Sequence, residues 1–104
     1  MASVAETILE QLGGGRFVVM TVARNMVAYP NALKLRLPSL PHYTKDGINC
    51  VHIQLELDDT YTVAFHKIGR APGFKVELKE ELTGVYAESL REVFTSTTGL
   101  AVSL

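Results

Sequence analysis

Residues 49–68 read NCVHIQLELDDTYTVAFHKI, and the fold turns on how this stretch pairs with itself. Val51, Ile53, Leu55 and Leu57 alternate with Cys50, His52, Gln54 and Glu56, the period of two expected of a strand with one apolar face. After Asp58-Asp59, Tyr61, Val63 and Phe65 resume the alternation on a return strand. The two apolar sets must share a face. A two-residue Asp58-Asp59 turn would pair Leu57 with Thr60 and separate them, because a slip of one residue inverts every side chain. The alternation therefore predicts Leu57 opposite Tyr61, Ile53 opposite Phe65, and an odd loop centred on Asp58-Asp59-Thr60 with a bulge. In that register His52 faces His66 on the outer side of the hairpin, with Cys50 one diagonal step away.

Upstream of this hairpin, residues 38–47 (PSLPHYTKDG) predict a loop, since two prolines do not fit a central strand. Ala32 to Leu37 alternates again, with Leu33, Leu35 and Leu37 inward and Lys34 and Arg36 outward. Pro30-Asn31 reads as a turn, preceded by a short strand from Met26 to Tyr29. Arg16 to Ala23 (RFVVMTVA) is apolar and rich in β-formers, which predicts a strand covered on both faces. At the start, Ser3 and Glu6 form a capping-box pattern, and Ala5, Ile8, Leu9 and Leu12 lie at helical spacing. Gly13 predicts the helix cap, and Gly14-Gly15 the turn that follows.

Downstream, residues 69–73 (GRAPG) predict a turn. Phe74, Val76 and Leu78 predict a last strand with those three side chains inward and Lys75, Glu77 and Lys79 outward. A second helix is expected from Thr83 to Thr98, with Tyr86, Leu90, Val93, Phe94 and Thr97 on its apolar face and Gly99 as its cap. Leu100, Val102 and Leu104 make an apolar tail that packs back or pairs with another chain. The sequence thus predicts a single α+β domain over residues 1–104. It is an antiparallel β-meander of five to six strands, flanked by an N-terminal and a C-terminal helix that cover one face.

Composition bounds the function. With 104 residues, 47% hydrophobic and 20% charged, the chain suits one globular core rather than a disordered segment. The one cysteine excludes an internal disulfide framework, and no apolar run reaches membrane-spanning length. The opening MASVAETILEQL lacks the pattern of a signal peptide, so a cytoplasmic protein is expected. Net charge is −1, but its distribution is uneven. From Gln11 to Lys45 there is no acid, while Arg16, Arg24, Lys34, Arg36 and Lys45 supply bases. Most of the acids fall later, Glu77, Glu80, Glu81, Glu88 and Glu92 among them. Such polarity gives one face a positive potential, which favours an acidic partner.

Catalytic and cofactor motifs are weak. His52, His66 and Cys50 are ligand types that zinc accepts, with His42 as a further donor, but there is no closely spaced ligand pair. Neither a metal nor any other cofactor is expected. Cys50 as a nucleophile needs a histidine base and a group to orient it, and Gln54 is a poor orienter. Asp58-Asp59 and Glu80-Glu81 point their members to opposite faces. Gly13-Gly14-Gly15 lacks the lysine and the spacing of a phosphate loop.

Binding is the better-supported class. Arg16, Lys34 and Arg36 on neighbouring strands, with Tyr29 and Tyr43 as aromatics, suit a single-stranded nucleic acid. The overall pI near 6.3 lies far below the value above ~9 of a dedicated nucleic-acid binder. The loop carrying His42, Tyr43 and Lys45 sits between strands, where loops often recognise partners.

Three stretches, GRFVVMTVARN, KDGINCVHIQLELDDTYTVAFHKI and GVYAESLREVFTSTTGL, resemble a family of small proteins encoded by bacteriophages, prophages and other mobile elements. The shared motifs are Arg24-Asn25 after the first expected strand, Asp46 to Asn49 at the entry to the central hairpin, and Gly84 to Tyr86 at the opening of the last helix. The resemblance implies a context rather than an activity: an accessory protein acting on host or phage machinery. Within that context the expected function is non-enzymatic binding of a protein or ribonucleoprotein target, as an inhibitor of a host defence system such as CRISPR. The expected contacts are Arg24, Asn25, Lys34, Arg36, His42, Tyr43 and Lys45. Direct nucleic-acid binding through residues 16–45 is the alternative, and a metal-dependent or cysteine enzyme a weaker one. Sheet edges and the tail would also permit a homodimer.

Overall fold

Ser3 caps the first helix by accepting the Glu6 amide on its hydroxyl at 3.1 Å. Helix α1 (Val4–Leu12) follows, burying Ala5, Ile8 and Leu12 as the spacing predicts. Gly13 takes a positive φ of 129°, and the amides of Gly13 and Gly14 return to the carbonyls of Glu10 and Leu9. This is a computed structural model, and it describes residues 3–38, 44–69, 73 and 75–100. Residues 39–43 of the expected loop, His42 and Tyr43 among them, lie outside the described residues, as do Phe74, most of the 69–73 turn and the tail beyond Leu100.

The architecture is α+β. A five-stranded antiparallel meander runs β1 (Arg24–Tyr29), β2 (Ala32–Arg36), β3 (Cys50–Leu55), β4 (Tyr61–Ile68) and β5 (Val76–Val85), in spatial order 1-2-3-4-5. Two N-terminal helices and one C-terminal helix, α3 (Leu90–Thr98), pack on the same face. The core holds Leu33, Leu35, Val51, Ile53, Val63 and Phe65 from the sheet against Ile8, Leu12, Phe17, Leu90 and Phe94 from the helices. Gln11 ties the layers together: its side chain accepts from the Tyr61 hydroxyl at 2.7 Å, and its carbonyl from Arg91 Nε at 3.0 Å.

The expected strand at Arg16 to Ala23 is instead helix α2 (Gly15–Thr21). Packing overrides the β-propensity of the segment. Phe17 and Thr21, one helical turn apart, are both fully buried, and Phe17 meets Phe94 edge-on with ring centroids 5.0 Å apart. The Thr21 hydroxyl donates to the Phe17 carbonyl at 2.7 Å. Valines not needed for the core stay in solvent, Val19 most of all. The helix ends on Val22 at φ 55°, a left-handed conformation that a β-branched residue rarely takes. Arg16 therefore lies on a helix and not beside Lys34 and Arg36.

The central hairpin keeps the predicted faces but not the predicted partners. Leu55 lies opposite Tyr61, Ile53 opposite Val63 and Val51 opposite Phe65. The loop is odd, as parity requires, but it is Leu57-Asp58-Asp59, closed by the Glu56 amide on the Thr60 carbonyl at 2.8 Å. A three-residue loop of this kind needs a left-handed residue in its third place. Asp59 takes it at φ 65°. The predicted loop would have put the β-branched Thr60 there, which disfavours that register. Asp58 accepts the amide and hydroxyl of Thr60, fixing the turn. Leu57 is consequently fully exposed rather than core, and His52 faces Ala64 while His66 faces Cys50.

Strand β5 is longer than expected and runs through Thr83-Gly84-Val85, where the sequence suggests helix. Two irregularities interrupt its pairing with β4. Gly84, at φ 64°, lies in one of them and is a strand residue rather than a helix start. The other reverses the facing of the strand's first half. Val76 and Leu78 lie opposite Ile68 and His66 and are more than half exposed, whereas Leu82 and Val85 reach the core. A 3-10 turn, Ala87–Ser89, then leads into α3. Leu90 and Phe94 are buried as expected, Thr98 replaces Thr97 on the inner face, and Tyr86 is exposed. Gly99, at φ 81°, caps the helix through the Thr95 carbonyl.

Candidate functional site: the open face of the sheet

Because the odd-numbered side chains of β2 to β4 share one core with the helices, the even-numbered side chains form a face that no helix covers among the described residues. Register sets its pattern. One row runs Val27, Lys34, His52, Ala64, and the next Arg24, Arg36, Cys50, His66. Tyr29, Ala32 and Gln54 form a third.

The β1–β2 hairpin brings Arg24 onto this face. Tyr29 pairs with Ala32 across the Pro30-Asn31 turn, and a bulge between Arg24 and Val27 shifts the register so that Arg24 meets Arg36. Asn25 makes the bulge by taking a left-handed φ of 53°, a role that suits asparagine. Both residues are exposed. Like charges directly opposite repel. Arg36 is held in spite of this by donating its Nε to the Asn49 carbonyl at 3.3 Å. Among the described residues no carboxylate pairs with Arg24, Lys34 or Arg36; the ion pair found joins Lys79 to Glu77, on β5.

Small side chains floor the face. Ala32, Cys50 and Ala64 are 2%, 2% and 7% exposed although no described helix lies over them. Larger neighbours enclose them: Lys34, Arg36, His52 and His66 are all half-buried. Tyr29 leans on His52, ring centroids 5.9 Å apart at 62°. Burial pushes the Cys50 thiol up from its ordinary value, against the opposing pull of Lys34 and Arg36. Burial pushes His52 down, with His66 and Lys34 adding to the effect.

Lys45, from the same sequence reading, goes elsewhere. It opens a 3-10 turn (Lys45–Gly47) and donates its Nζ to the Ser96 carbonyl in the last turn of α3 at 3.0 Å. A cation there complements the helix dipole. The structure thus brings Arg24, Lys34 and Arg36 together, gives Asn25 a backbone role and sends Lys45 to a helix end. His42 and Tyr43 lie outside the described residues.

Neither catalytic arrangement assembles among the described residues. His66 stands opposite Cys50, but no hydrogen bond joins them, and the described residues contain no group of three His, Cys, Asp or Glu able to hold a metal. The ring pair of Tyr29 and His52 needed the register to be seen. Its signal was the two-residue Pro30-Asn31 turn, which alone puts Tyr29 and Ala32 in one row. No helix of the described chain is long and apolar enough to cross a membrane. No protein-family model matches the chain, and neither a curated protein nor a solved structure does so.

Proposed function

We propose that this chain is a non-enzymatic binding protein whose open sheet face engages an acidic protein or ribonucleoprotein. The carrying observation is three cations, Arg24, Lys34 and Arg36, on adjacent rows of a face that no described helix covers, with no carboxylate among the described residues paired to them. Such an array concentrates positive potential on one side of a chain of net charge −1. Burial of Cys50 and its raised thiol pKa disfavour a thiolate nucleophile, which supports binding over catalysis. Bulges in β1 and β5 blunt both sheet edges, so the face is the better candidate than an edge for the contact, including a homodimer contact. The resemblance to proteins of bacteriophages and mobile elements supplies the context: an accessory protein in the host cytoplasm, restraining a host defence system such as CRISPR.

The test is capture of partners from host and phage-infected lysates on the immobilised protein, with mass spectrometry. A partner specific to this face is retained by wild type, lost with the double substitution Lys34→Glu/Arg36→Glu, and rebinds when purified. Equal capture by both proteins would sink the assignment of the face.

A further inference from the structure

We infer that the open face binds single-stranded nucleic acid, with Tyr29 and His52 as a stacking platform and Lys34, Arg36 and Arg24 as phosphate contacts. This rests on the reading of the face as the interface and names the chemistry it takes.

Recognition of an unpaired strand needs exposed π-faces beside cations that follow a backbone. Both are present in one register. Tyr29 remains 41% exposed while its ring is steadied against His52. Lys34 lies opposite His52, so the ring pair and the first cation are neighbours. Arg36 follows two residues on, about 6.7 Å further along the same strand. Arg24 extends the cation row towards the sheet edge. Between them the small floor residues Ala32, Cys50 and Ala64 leave the face low, so that a base can approach a ring without meeting a bulky aliphatic neighbour. The exposed large aliphatic side chains of this face are Val27 on β1 and, at the opposite side of the sheet, Val76 and Leu78 on β5, so the rings and cations of β1 to β3 have only Val27 beside them. A duplex is disfavoured: no described helix or ribbon projects from this face to enter a groove. The acidic half of the chain confines the strand to the β1–β3 side, since Glu81 lies opposite Ala64 at the far end of the lysine row.

The experiment is fluorescence polarisation with labelled fifteen-nucleotide oligo-U, oligo-dT and a duplex of equal length. Single strands should bind, and the duplex at least tenfold more weakly. Three phosphate contacts predict a salt slope near −2 for a single strand, hence roughly an 18-fold loss of affinity between 50 and 200 mM salt. Tyr29→Leu should lose about tenfold, the lower range for one stacked base. Lys34→Glu/Arg36→Glu should abolish binding with the thermal unfolding curve retained. Arg16→Glu, which removes the same kind of charge from the exposed surface of α2, should leave binding unchanged. The oligo-U and oligo-dT arms separate RNA from DNA. No binding at 50 mM salt, or an equal loss with Arg16→Glu, overturns the inference. If oligonucleotides fail but face-dependent capture survives nuclease, the partner is a protein and only the inference falls. If capture also fails to depend on the face, both readings fall.

Discussion

Replacing Asn49 by alanine removes a side chain that acts as a piece of strand. Asn49 is 3% exposed and stands just before β3. Its Nδ2 donates to the Ile68 carbonyl at 3.0 Å, and its Oδ1 accepts the Ile68 amide at 2.8 Å. The carboxamide thus occupies both polar groups of the last β4 residue, beyond the last backbone pairing of β3 with β4. Each bond contributes about 1 kcal/mol net, and a buried group left unpaired costs about 1–3 kcal/mol more. Ile68 is half-buried, so water relieves part of that penalty. The expected loss for Asn49→Ala is about 3 kcal/mol. For a domain of this size that lowers the melting temperature by roughly 10–25 °C.

Asn49→Asp makes a sharper test. The carboxylate keeps an acceptor for the Ile68 amide but turns a second oxygen against the Ile68 carbonyl, so at pH 7 it should destabilise at least as much as alanine. Protonation restores a donor. The folded-state pKa of this new carboxyl is raised, so its contribution is present below the unfolded value of about 3.9 and is lost as pH rises through the folded value. Urea unfolding at pH 4 and pH 7 reads this directly: the gap between the Asp variant and wild type should narrow on acidification. If Asn49→Ala stays within about 0.5 kcal/mol of wild type, typical of a surface change, the bridging role is wrong. The same holds if the Asp and Ala variants shift in parallel with pH.

Leu57→Asp discriminates between registers of the central hairpin. With Leu57 at the tip of a Leu57-Asp58-Asp59 loop, stability should change by less than about 0.5 kcal/mol, whereas a core position opposite Tyr61 would cost several; chemical denaturation decides. His52 is pushed down from its ordinary range, so the unfolded chain takes up a proton first as pH falls below about 6.5. Stability should be full above that pH, decline as pH falls towards the native pKa, and level off below it. His52→Gln should flatten the decline, and urea midpoints between pH 7.5 and 5.5 would show a persisting slope if another group were responsible. Cys50 should react with a thiol-specific disulfide reagent at pH 8 at least ~10-fold more slowly in the folded chain than in urea, because it is buried and its thiol pKa is raised. Equal rates would mean that the outer face is open at the sulfur.

What could be read from the sequence follows from how local each determinant is. Alternation is a property of a strand alone, so Leu33, Leu35, Val51, Ile53, Val63 and Phe65 were identifiable as core before any partner was known. Parity required an odd hairpin loop for the same reason. Which odd loop depended on one backbone angle, and Asp59 tolerates φ 65° where Thr60 does not. Segment 15–21 was misleading because its composition favours a strand, while its conformation is decided by Phe17 reaching Phe94, a contact seventy-seven residues away in sequence. Val76 and Leu78 alternate as core residues do, yet an irregularity at the β4 pairing of Phe65 and His66 turns them outward. No pattern within β5 announces that shift.

The candidate site was legible in its residues but not in its assembly. Lys34 and Arg36 needed only alternation to be placed outward, and both are outward. Arg24 needed the Pro30-Asn31 turn together with a left-handed Asn25 to arrive opposite Arg36; a regular ladder continued from Tyr29 and Ala32 would have put it opposite Leu37 and on the helical side. A single bulge therefore decides whether the outer face carries two cations or three. That gives Asn25 a role different from the contact expected of it: it aims its neighbour. Asn25→Gly, which accepts the same φ, should preserve binding at the face, while Asn25→Val should weaken it by displacing Arg24, without removing any group that touches the ligand. Equal affinity for the two variants would separate Arg24 from the site and leave the pair on β2 as its cationic core.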